Sequence, residues 1–430
     1  MSLSEDLPPY VVVGGGAAGY FAAIRLAELG AGRRVILLEA TRQVLTKVKI
    51  SGGGRCNVTH HCFEPAKLVE NYPRGARELH SCFTRFQPRD TVAWFAARGV
   101  ALKVEADGRM FPTTDDSRTI VDALELAARQ AGVDVRLGAS LQQVEPEVPG
   151  SGSLGTGGTP RFKLRLKDGQ ELAAAAVLLA TGSSPVGLQL AAAVGHQIEP
   201  HAPSLFTFNV KDQRLADLAG VAFAQVRLHL VVAGSKGRLE RTGPLLITHW
   251  GLSGPAVLKL SAFGASLLQA SAYQAELCIA FLPHLSSKEI QLGLRQFKLD
   301  AAKRSVVKNP PFTELPRRFW QQLLMCMQVR PELVYADLDK DTMQRLVFEL
   351  SEGRYLISGK GIFKDEFVSA GGVRLKEVDF RHMESRIVPG LYFAGEVLAL
   401  DGITGGFNFQ AAWTTAWIAA TAMVAADAQS

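Results

Sequence analysis

Three glycines near the start of the chain have the spacing of a phosphate-binding turn. Gly14, Gly16 and Gly19 follow the β-branched apolar run 10–13 and open an alanine-rich stretch, 17–29, with helical periodicity. The first glycine allows a tight turn, the second lets a pyrophosphate approach the backbone, and the third lets the helix pack closely on the strand. The start of such a helix also supplies N–H donors and positive potential. The pattern therefore predicts a dinucleotide site.

An acidic residue stands where such a site binds the ribose. Glu39 ends the next apolar run, 35–38, and Ala40 follows it. A carboxylate at this position accepts hydrogen bonds from the ribose hydroxyls of adenosine and repels a 2′-phosphate. The sequence therefore favours FAD or NAD over NADP.

Three later motifs favour FAD, because an FAD site must also hold a long cofactor whose isoalloxazine lies far from the first turn. Ala-Thr-Gly at 180–182 ends a predicted strand, and Gly-Glu at 395–396 ends another, which puts an acid near the middle of the cofactor. The segment 405–408 then opens the last predicted helix after two glycines. Backbone N–H groups at that helix start can stabilise the negative charge that develops on a reduced flavin.

A glycine-rich segment after the second strand supplies further candidates. It runs from Lys47 to Asn57 and contains Ser-Gly-Gly-Gly-Arg-Cys-Asn. Arg55 and Asn57 are candidates for contact with the flavin or with a substrate anion, and Lys47 is a candidate for the FAD phosphates or the flavin edge. Arg55 is also one of two candidate catalytic residues. The other is His249, an acid–base candidate in Thr-His-Trp-Gly-Leu-Ser-Gly-Pro.

The predicted cofactor contacts come from both ends of the chain. The first glycines are assigned to the pyrophosphate, the backbone near Leu141 to the adenine, and 406–408 to the flavin; no metal site is predicted. The full predicted set is Gly14, Gly16, Ala17, Ala18, Gly19, Glu39, Ala40, Lys47, Gly54, Asn57, Leu141, Ala180, Thr181, Gly182, Gly395, Glu396, Gly405, Gly406, Phe407 and Asn408.

The elements that position these residues follow from the same periodicities. The strand 35–38 completes a βαβ unit and hence a parallel strand pair. The chain between 41 and 57 is expected to be irregular. The stretch 147–160 holds five glycines and two prolines and is expected to be a mobile hairpin loop. Further helices are predicted at 88–98 and 117–130, and further strands at 133–137, 162–166 and 175–180.

A change of character near residue 203 indicates an inserted domain. The predicted fold is α/β: a Rossmann-like FAD-binding domain of the type with two dinucleotide-binding motifs, formed by 1–204 and 353–430, with 205–352 inserted. The insert is expected to hold β-barrel strands at about 205–260 and 340–352 and a helical part at about 285–335.

Composition excludes several classes of protein. The chain has 430 residues, of which 47% are hydrophobic and 20% charged, so it is globular rather than disordered. Five cysteines without a C-x-x-C pair suggest neither a zinc site nor a secreted disulfide framework, and a cytoplasmic location fits best. The charge-free stretch 402–426 is predicted to be a buried helix rather than a membrane span, because its apolar residues are small or intermittent.

Four strings of the chain resemble one family of bacterial flavoproteins. They are 47–57, 248–255, 369–373 and 395–410. Together they are similar to the BaiN-like family, which is also described as aminoacetone-oxidase-like and as NAD(P)/FAD-dependent oxidoreductases. The resemblance implies an FAD-binding domain made of both chain ends with an inserted β-barrel and helical domain. The chain departs from the commoner family pattern at Ala399, Ile403, Thr404 and Phe407, where Asp, Asp, Cys and Tyr are usual.

The sequence therefore predicts an FAD-dependent oxidoreductase that passes hydride between flavin N5 and a small organic substrate or NAD(P)H. No second G-x-G-x-x-G follows a strand in the insert, so the sequence predicts no separate Rossmann domain for NAD(P)H. NAD(P)H is therefore a candidate electron donor that would bind only transiently, at the flavin. The alternative is a flavoprotein whose redox state regulates binding to a macromolecule such as RNA, with no small-molecule turnover. Basic residues at 298–318 would be its binding face, within a net charge of +6.

Overall fold

The computed structural model describes residues 7–428 except 31, 148–160, 233, 235–237 and 362–367. The predicted loop at 147–160 therefore lies, apart from its first residue, outside the described residues. The chain divides into two compact units. Unit 1 comprises Met1–His201 and Ala370–Ser430, and unit 2 comprises Ala202–Ser369.

The described strands run through both units. In chain order they are β1 (Tyr10–Val13), β2 (Val35–Glu39), β3 (Thr59–His60), β4 (Leu102–Val104), β5 (Arg109–Pro112), β6 (Asp134–Leu137), β7 (Leu141–Pro146), β8 (Phe162–Leu166), β9 (Glu171–Ala174), β10 (Ala176–Leu179), β11 (Ile198–Ser204), β12 (Phe208–Val210), β13 (Ala222–Val231), β14 (Leu239–Thr248), β15 (Gly251–Ser253), β16 (Ala275–Ala280), β17 (Gly353–Lys360), β18 (Val368–Val373), β19 (Val378–Asp379), β20 (Glu384–Ser385) and β21 (Leu391–Phe393).

The described α-helices alternate with these strands in unit 1 and cluster in the middle of unit 2. In chain order they are α1 (Ala17–Leu29), α2 (Thr46–Gly54), α3 (Pro65–Val69), α4 (Ala76–Phe83), α5 (Pro88–Ala96), α6 (Arg118–Gln130), α7 (Pro185–Ala193), α8 (Pro255–Phe263), α9 (Ala265–Ala270), α10 (Ser287–Asp300), α11 (Arg317–Cys326), α12 (Lys340–Glu352) and α13 (Phe407–Ala428).

A mixed sheet forms the centre of unit 1. Its strand order is β19-β20-β21-β10-β1-β2-β6. The strands from β21 to β6 are parallel to their neighbours, whereas β19 and β20 pair antiparallel. Strands β1 and β10 are buried along their whole length, as expected for a parallel sheet covered on both faces. The predicted α/β Rossmann fold is confirmed.

The first and last helices of unit 1 pack against each other. The ring of Phe21 on α1 lies 5.3 Å from that of Trp413 on α13, and the guanidinium of Arg25 lies 3.7 Å from the centre of the Trp417 ring. Helix α13 is buried along most of its length, in agreement with the prediction of a core helix. Within the described part of the chain, no helix combines the length and the apolar character needed to cross a membrane.

Unit 2 contains a closed β-barrel followed along the chain by helices. The barrel order is β12-β15-β14-β13-β16-β17. The prediction of barrel strands at 340–352 is wrong, because this segment is helix α12, and the barrel strand β17 follows it at 353. The Asp339 side chain caps α12 by accepting a hydrogen bond from the Thr342 N–H, and Met343, Leu346 and Leu350 are spaced along one buried face.

The segment predicted to be irregular between 41 and 57 contains helix α2. Its last turn is kinked, because Ser51, Gly52 and Gly53 have non-helical dihedral angles, with φ of +58° and +70° at the two glycines. Only glycine adopts such angles without strain. Helical dihedral angles therefore stop after Ile50, and the glycines of the predicted irregular segment end the regular part of α2.

Candidate functional site

The predicted motifs of unit 1 meet at one edge of the central sheet. Strand β1 pairs in parallel with β2 and β10, and β10 with β21, so that all four strands end side by side. Gly14, Glu39, Thr181 and Gly395 lie at or just beyond these four ends. Ligands of open α/β sheets bind outside the carboxyl ends of the strands. The geometry therefore makes this edge the candidate site.

The first turn is built around glycines that no other residue replaces without movement. Gly14 has φ of +111°, and a Cβ there would lie 2.5 Å from the carbonyl oxygen of Ala180. A Cβ at Gly19 would lie 1.8 Å from the carbonyl oxygen of Gly14. At Gly16, by contrast, a Cβ would meet nothing within 4 Å. Open space therefore lies beside Gly16, next to the start of α1.

The start of α1 is left open to an anion. The first helical residue is Ala17, the preceding Gly16 gives no side-chain cap, and the first turn has no acidic residue. The first N–H groups of a helix have no partner within the helix and carry positive potential. The predicted cofactor contacts Gly14, Gly16, Ala17, Ala18 and Gly19, of which the glycines were assigned to the pyrophosphate, thus lie around this helix start.

Glu39 is fixed by backbone and side-chain donors. Its Oε2 accepts a hydrogen bond from the Gly15 N–H at 2.7 Å, and its Oε1 accepts from the N–H of Thr41 at 2.8 Å and from the hydroxyl of Thr41 at 2.9 Å. Ala40 beside it is exposed. A carboxylate oxygen can accept about two hydrogen bonds, so Oε1 is fully used and Oε2 keeps one acceptor site for a ribose hydroxyl.

A second part of the site surrounds the end of β10. The hydroxyl of Thr181 is buried and has no hydrogen-bond partner among the described residues. Gly182 has φ of +59° and lies close to the carboxylate of Glu396, whose Oε2 bonds Lys47 Nζ at 2.5 Å. The Thr181 hydroxyl packs against Gly187 of α7, where a Cβ would lie 1.8 Å from Oγ1, so the glycine makes room for the Thr181 side chain.

The start of α13 forms the third part of the site. The sequence predicts that 406–408 lies at the flavin, and this stays a prediction. In the amide orientation that satisfies both groups, the Asn57 side chain accepts from the Gly406 N–H at 2.9 Å and donates to the carbonyl oxygen of Thr59 at 3.1 Å, so the Gly406 N–H is already engaged. The helix begins at Phe407, so the N–H groups of Phe407 and Asn408 come next at its open end.

Asn408 and Gly405 shape the loop before α13. The side chain of Asn408 accepts from the Gly402 N–H at 2.7 Å and donates to the Gly402 carbonyl at 2.9 Å. Gly405 has φ of +129° and Gly406 of +89°. The ring of Phe407 stacks on that of His60 at 4.6 Å.

Sequence reasoning missed the buried groups that hold this loop and α13. Asp401, with a side chain that is 1% exposed, pairs with Arg74 through both carboxylate oxygens, one of them 2.5 Å from Arg74 Nε. The Tyr72 hydroxyl donates to the carbonyl of Phe407 at 2.6 Å. A cluster of buried polar side chains centred on Gln410 also joins α13 to β3 and α5. Gln410 accepts from the hydroxyls of Thr59 and Thr91 and donates to that of Thr414.

Arg55 is engaged by acidic side chains. Its Nη1 lies 2.6 Å from Glu105 and 3.4 Å from Asp115, and its guanidinium lies 4.0 Å from the centre of the Phe111 ring. The hydrogen bond to Glu105 raises the pKa of Arg55. Burial raises the pKa of Cys56 to about 12, so this thiol is protonated at neutral pH and is a poor nucleophile.

The remaining predicted residues lie apart from these three groups. Leu141 is buried at the start of β7, which pairs with β8. Gly54 ends α2, and its carbonyl accepts from the Ser117 N–H at 2.9 Å. His249 is exposed in the turn between β14 and β15, in unit 2, and so does not belong to the unit that carries the other candidates.

Comparison with known proteins gives consistent results over the whole chain. The family model of the HI0933-like protein Rossmann domain matches residues 8–422. A "Ribosomal RNA dihydrouridine synthase" of Escherichia coli (strain K12) is 30% identical, over 97% of this chain and 98% of that protein. A "3-dehydro-bile acid delta(4,6)-reductase" of Clostridium scindens is 28% identical, over 96% and 98%. A second "Ribosomal RNA dihydrouridine synthase", from Haemophilus influenzae, is 28% identical, over 95% and 97%.

Proposed function

The chain belongs to the HI0933-like Rossmann-domain family of FAD-dependent oxidoreductases, and from this premise we propose that it reduces a carbon–carbon double bond conjugated to a carbonyl group. The observation that carries the cofactor part is the sheet edge where β1, β2, β10 and β21 end together around an open helix start. The reaction part comes from the relatives, whose names describe saturation of a double bond.

The residues at the sheet edge fit FAD. The space beside Gly16 admits a pyrophosphate, and Thr181 and Gly182 at the end of β10 would line the middle of the cofactor. Glu39 would hold the adenosine ribose, the backbone of Leu141 the adenine, and Glu396 the ribityl region. Lys47 is 59% exposed beside Glu396 and would meet the phosphates.

When bound, FAD supplies a hydride to the substrate and accepts one from a donor such as NAD(P)H. The N–H groups of Phe407 and Asn408 would donate to the flavin edge, and the positive end of the 22-residue α13 would stabilise negative charge there. Asn57 holds Gly406 in place by its amide, and the Arg74–Asp401 pair fixes the loop before it. These side chains orient the site without taking part in proton transfer.

The two named activities share one chemistry. In a uracil ring and in an unsaturated 3-keto steroid the double bond is conjugated to a carbonyl, which accepts the charge when hydride adds to the β-carbon. A proton taken up from solvent then completes the reduction at the α-carbon. Among the predicted catalytic candidates, Arg55 is bound to Glu105 and Asp115 and is therefore assigned to stabilising the loop rather than to protonation.

The alternative of a redox-regulated RNA-binding protein without turnover is not favoured. The family and the relatives it contains are redox enzymes, which favours turnover over a purely regulatory role. RNA remains relevant as a substrate, because two of the relatives are named for acting on ribosomal RNA.

The test is a two-stage anaerobic experiment on the purified protein. In the first stage NADH or NADPH is added, and bleaching of the flavin bands identifies the donor. In the second stage the reduced protein is mixed with 2-cyclohexenone, a 3-keto-4,6-diene steroid or a uridine-containing RNA, and return of the bands identifies the acceptor. Saturated alcohols serve as controls. A protein that cannot be loaded with FAD, or whose reduced flavin ignores every conjugated acceptor, contradicts the proposal.

A further inference from the structure

The net charge of the protein resides in unit 2. Counted over the sequence, residues 202–369 hold 21 of the 47 lysines and arginines but only 15 of the 41 acidic residues, whereas unit 1 holds 26 of each. The whole net charge of +6 therefore belongs to the unit that lacks the dinucleotide motif. A charge excess confined to one unit is a property of that surface, not of overall composition.

Within unit 2 the excess is concentrated on one stretch of helices. Residues 288–330, which span α10 and α11, hold nine lysines and arginines and three acidic residues. We call the exposed cations of this stretch the basic face. Its members are Lys288, Arg295, Lys303, Arg304, Lys308, Arg317, Arg318 and Arg330.

The cations of the basic face are not balanced by acids. Among the residues that the structure describes, none of them takes part in an ion pair; Arg318 donates to the carbonyl of Asp217. Arg317 and Arg318 also occupy the first turn of α11, whose N-cap is Pro316 and carries no capping side chain. Cations at a helix N-terminus are repelled by the helix dipole. This arrangement is costly unless an anion lies against it.

We infer that the basic face binds the phosphate backbone of RNA. This inference rests on the proposed function, since it names RNA as the substrate class of the sheet-edge site. Lys288 and Arg295 lie seven residues apart on α10, about 10 Å along its axis, and the Ser305 hydroxyl bonds the carbonyl of Pro331 at 3.3 Å, which brings the cations at 303–308 near Arg330. Several cations at different places suit an extended polyanion rather than a single phosphate. Unpaired lysines and arginines release the counterions of such a backbone, which drives binding.

The test measures binding of a labelled ribosomal RNA fragment to the FAD-loaded protein. The fluorescence anisotropy of the RNA reports binding, and the titration is repeated at several salt concentrations. The first variant is Lys303→Gln/Arg304→Gln/Lys308→Gln, and a second is Arg317→Gln/Arg330→Gln. The matched control is Arg77→Gln/Lys167→Gln/Lys376→Gln, which removes three exposed cations from unit 1. Removing one cation that neutralises a phosphate lowers the slope of log K against log salt by about 0.7 for a single strand, so the slope of the first variant should fall by about 2.

The expected result is weaker, less salt-dependent RNA binding for both basic-face variants and unchanged binding for the control. All variants should retain reduction of 2-cyclohexenone, which separates this inference from the proposed function. Equal affinity and slope for wild type and both basic-face variants overturns the inference. So does an equal loss in the control, or binding to vesicles of anionic lipid in place of RNA.

Discussion

Arginines play opposite parts in the two units. In unit 1 two of them join distant segments of the chain: Arg33 bonds Asp427 at 2.7 Å, and Arg74 pairs with the buried Asp401. In unit 2 the basic face, on and between α10 and α11, has exposed cations without acidic partners among the described residues. Unit 2 pairs other cations internally, since Arg214, which follows β12, bonds Asp212 and Glu349 of α12.

The difference separates cations that build the protein from cations that are available to something else. The pairs Arg33–Asp427 and Arg74–Asp401 join positions 394 and 327 residues apart, so they tie the two ends of the chain into one domain. A buried charge is tolerated only when it is paired. An unpaired exposed charge contributes little to the fold and much to the field around the protein.

The largest effect is expected at the buried pair. Arg74→Met leaves the carboxylate of Asp401 buried without its partner, and the free energy of unfolding should fall by about 3–5 kcal/mol. Arg136→Met is the matched control, because Arg136 pairs with Asp134 at the surface and should cost less than about 1 kcal/mol. Urea unfolding at neutral pH measures both. Similar losses in the two variants would remove the distinction between structural and surface pairs.

The next effect tests whether unit 1 binds its cofactor through backbone rather than through charge. Gly16→Ala adds a methyl group to open space, so the apo-protein should unfold as wild type does, whereas FAD affinity should fall at least about tenfold, or about 1.4 kcal/mol. Gly19→Ala should instead destabilise the apo-protein by about 2–3 kcal/mol, because its Cβ meets the carbonyl of Gly14. Fluorescence titration of each apo-protein with FAD distinguishes the two variants. If Gly16→Ala binds FAD as tightly as wild type does, the pyrophosphate does not lie beside Gly16.

A smaller effect is expected from the internal pairing of a histidine. His196 is buried, with Glu377 Oε2 3.0 Å from Nδ1 and Ser385 Oγ 2.8 Å from Nε2, and burial lowers its pKa below 6.5. The unfolded chain therefore takes up a proton first as pH falls, so stability is complete above about pH 6.5 and declines below it, by at most about 1.4 kcal/mol per pH unit.

The variant His196→Gln tests this pH dependence. It should be less stable than wild type at about pH 7.5, but the difference should shrink by about pH 5.5. Urea unfolding at the two pH values gives the comparison. A constant difference would mean that His196 does not contribute to the pH dependence.

The smallest effect is expected on the basic face. Arg304→Gln and Lys308→Gln remove exposed charges without ion-pair partners among the described residues, so the free energy of unfolding should stay within about 0.5 kcal/mol of wild type. Thermal unfolding at low salt is the measurement. A loss comparable to that of Arg74→Met would show that these cations support the fold after all.

Local patterns predicted much of the fold. The spans of β1, α1 and β8 agree with the prediction residue for residue, because each combines a clear periodicity with glycine or charged boundaries. Errors arose where short-range signals conflict. Three glycines at 52–54 predicted a loop, although the residues before them form α2. The apolar residues of 340–352 were assigned to barrel strands, whereas they form one buried face of α12, which begins after the capping residue Asp339.

The site was predictable only in part. The glycine motifs and Glu39 act through their immediate neighbours, so their spacing is enough to identify them. The partners Asn57 and Gly406, Arg74 and Asp401, and Thr59 and Gln410 are more than 300 residues apart, and no single sequence shows such pairs. Whether the predicted contacts bind FAD in the proposed order stays a prediction.

The packing of α1 against α13 also sets the order of events during synthesis of the protein. At about 5–20 residues per second, Gly406 is added to the nascent chain roughly 20–80 s after Gly16. All of unit 2 has been translated by then, so it can fold while the Rossmann sheet still lacks β21 and its last helix. Because the predicted FAD contacts at 395–408 follow β21, we expect stable capture of FAD only after this segment has been translated, so a ribosome stalled upstream of residue 390 would carry a chain without flavin.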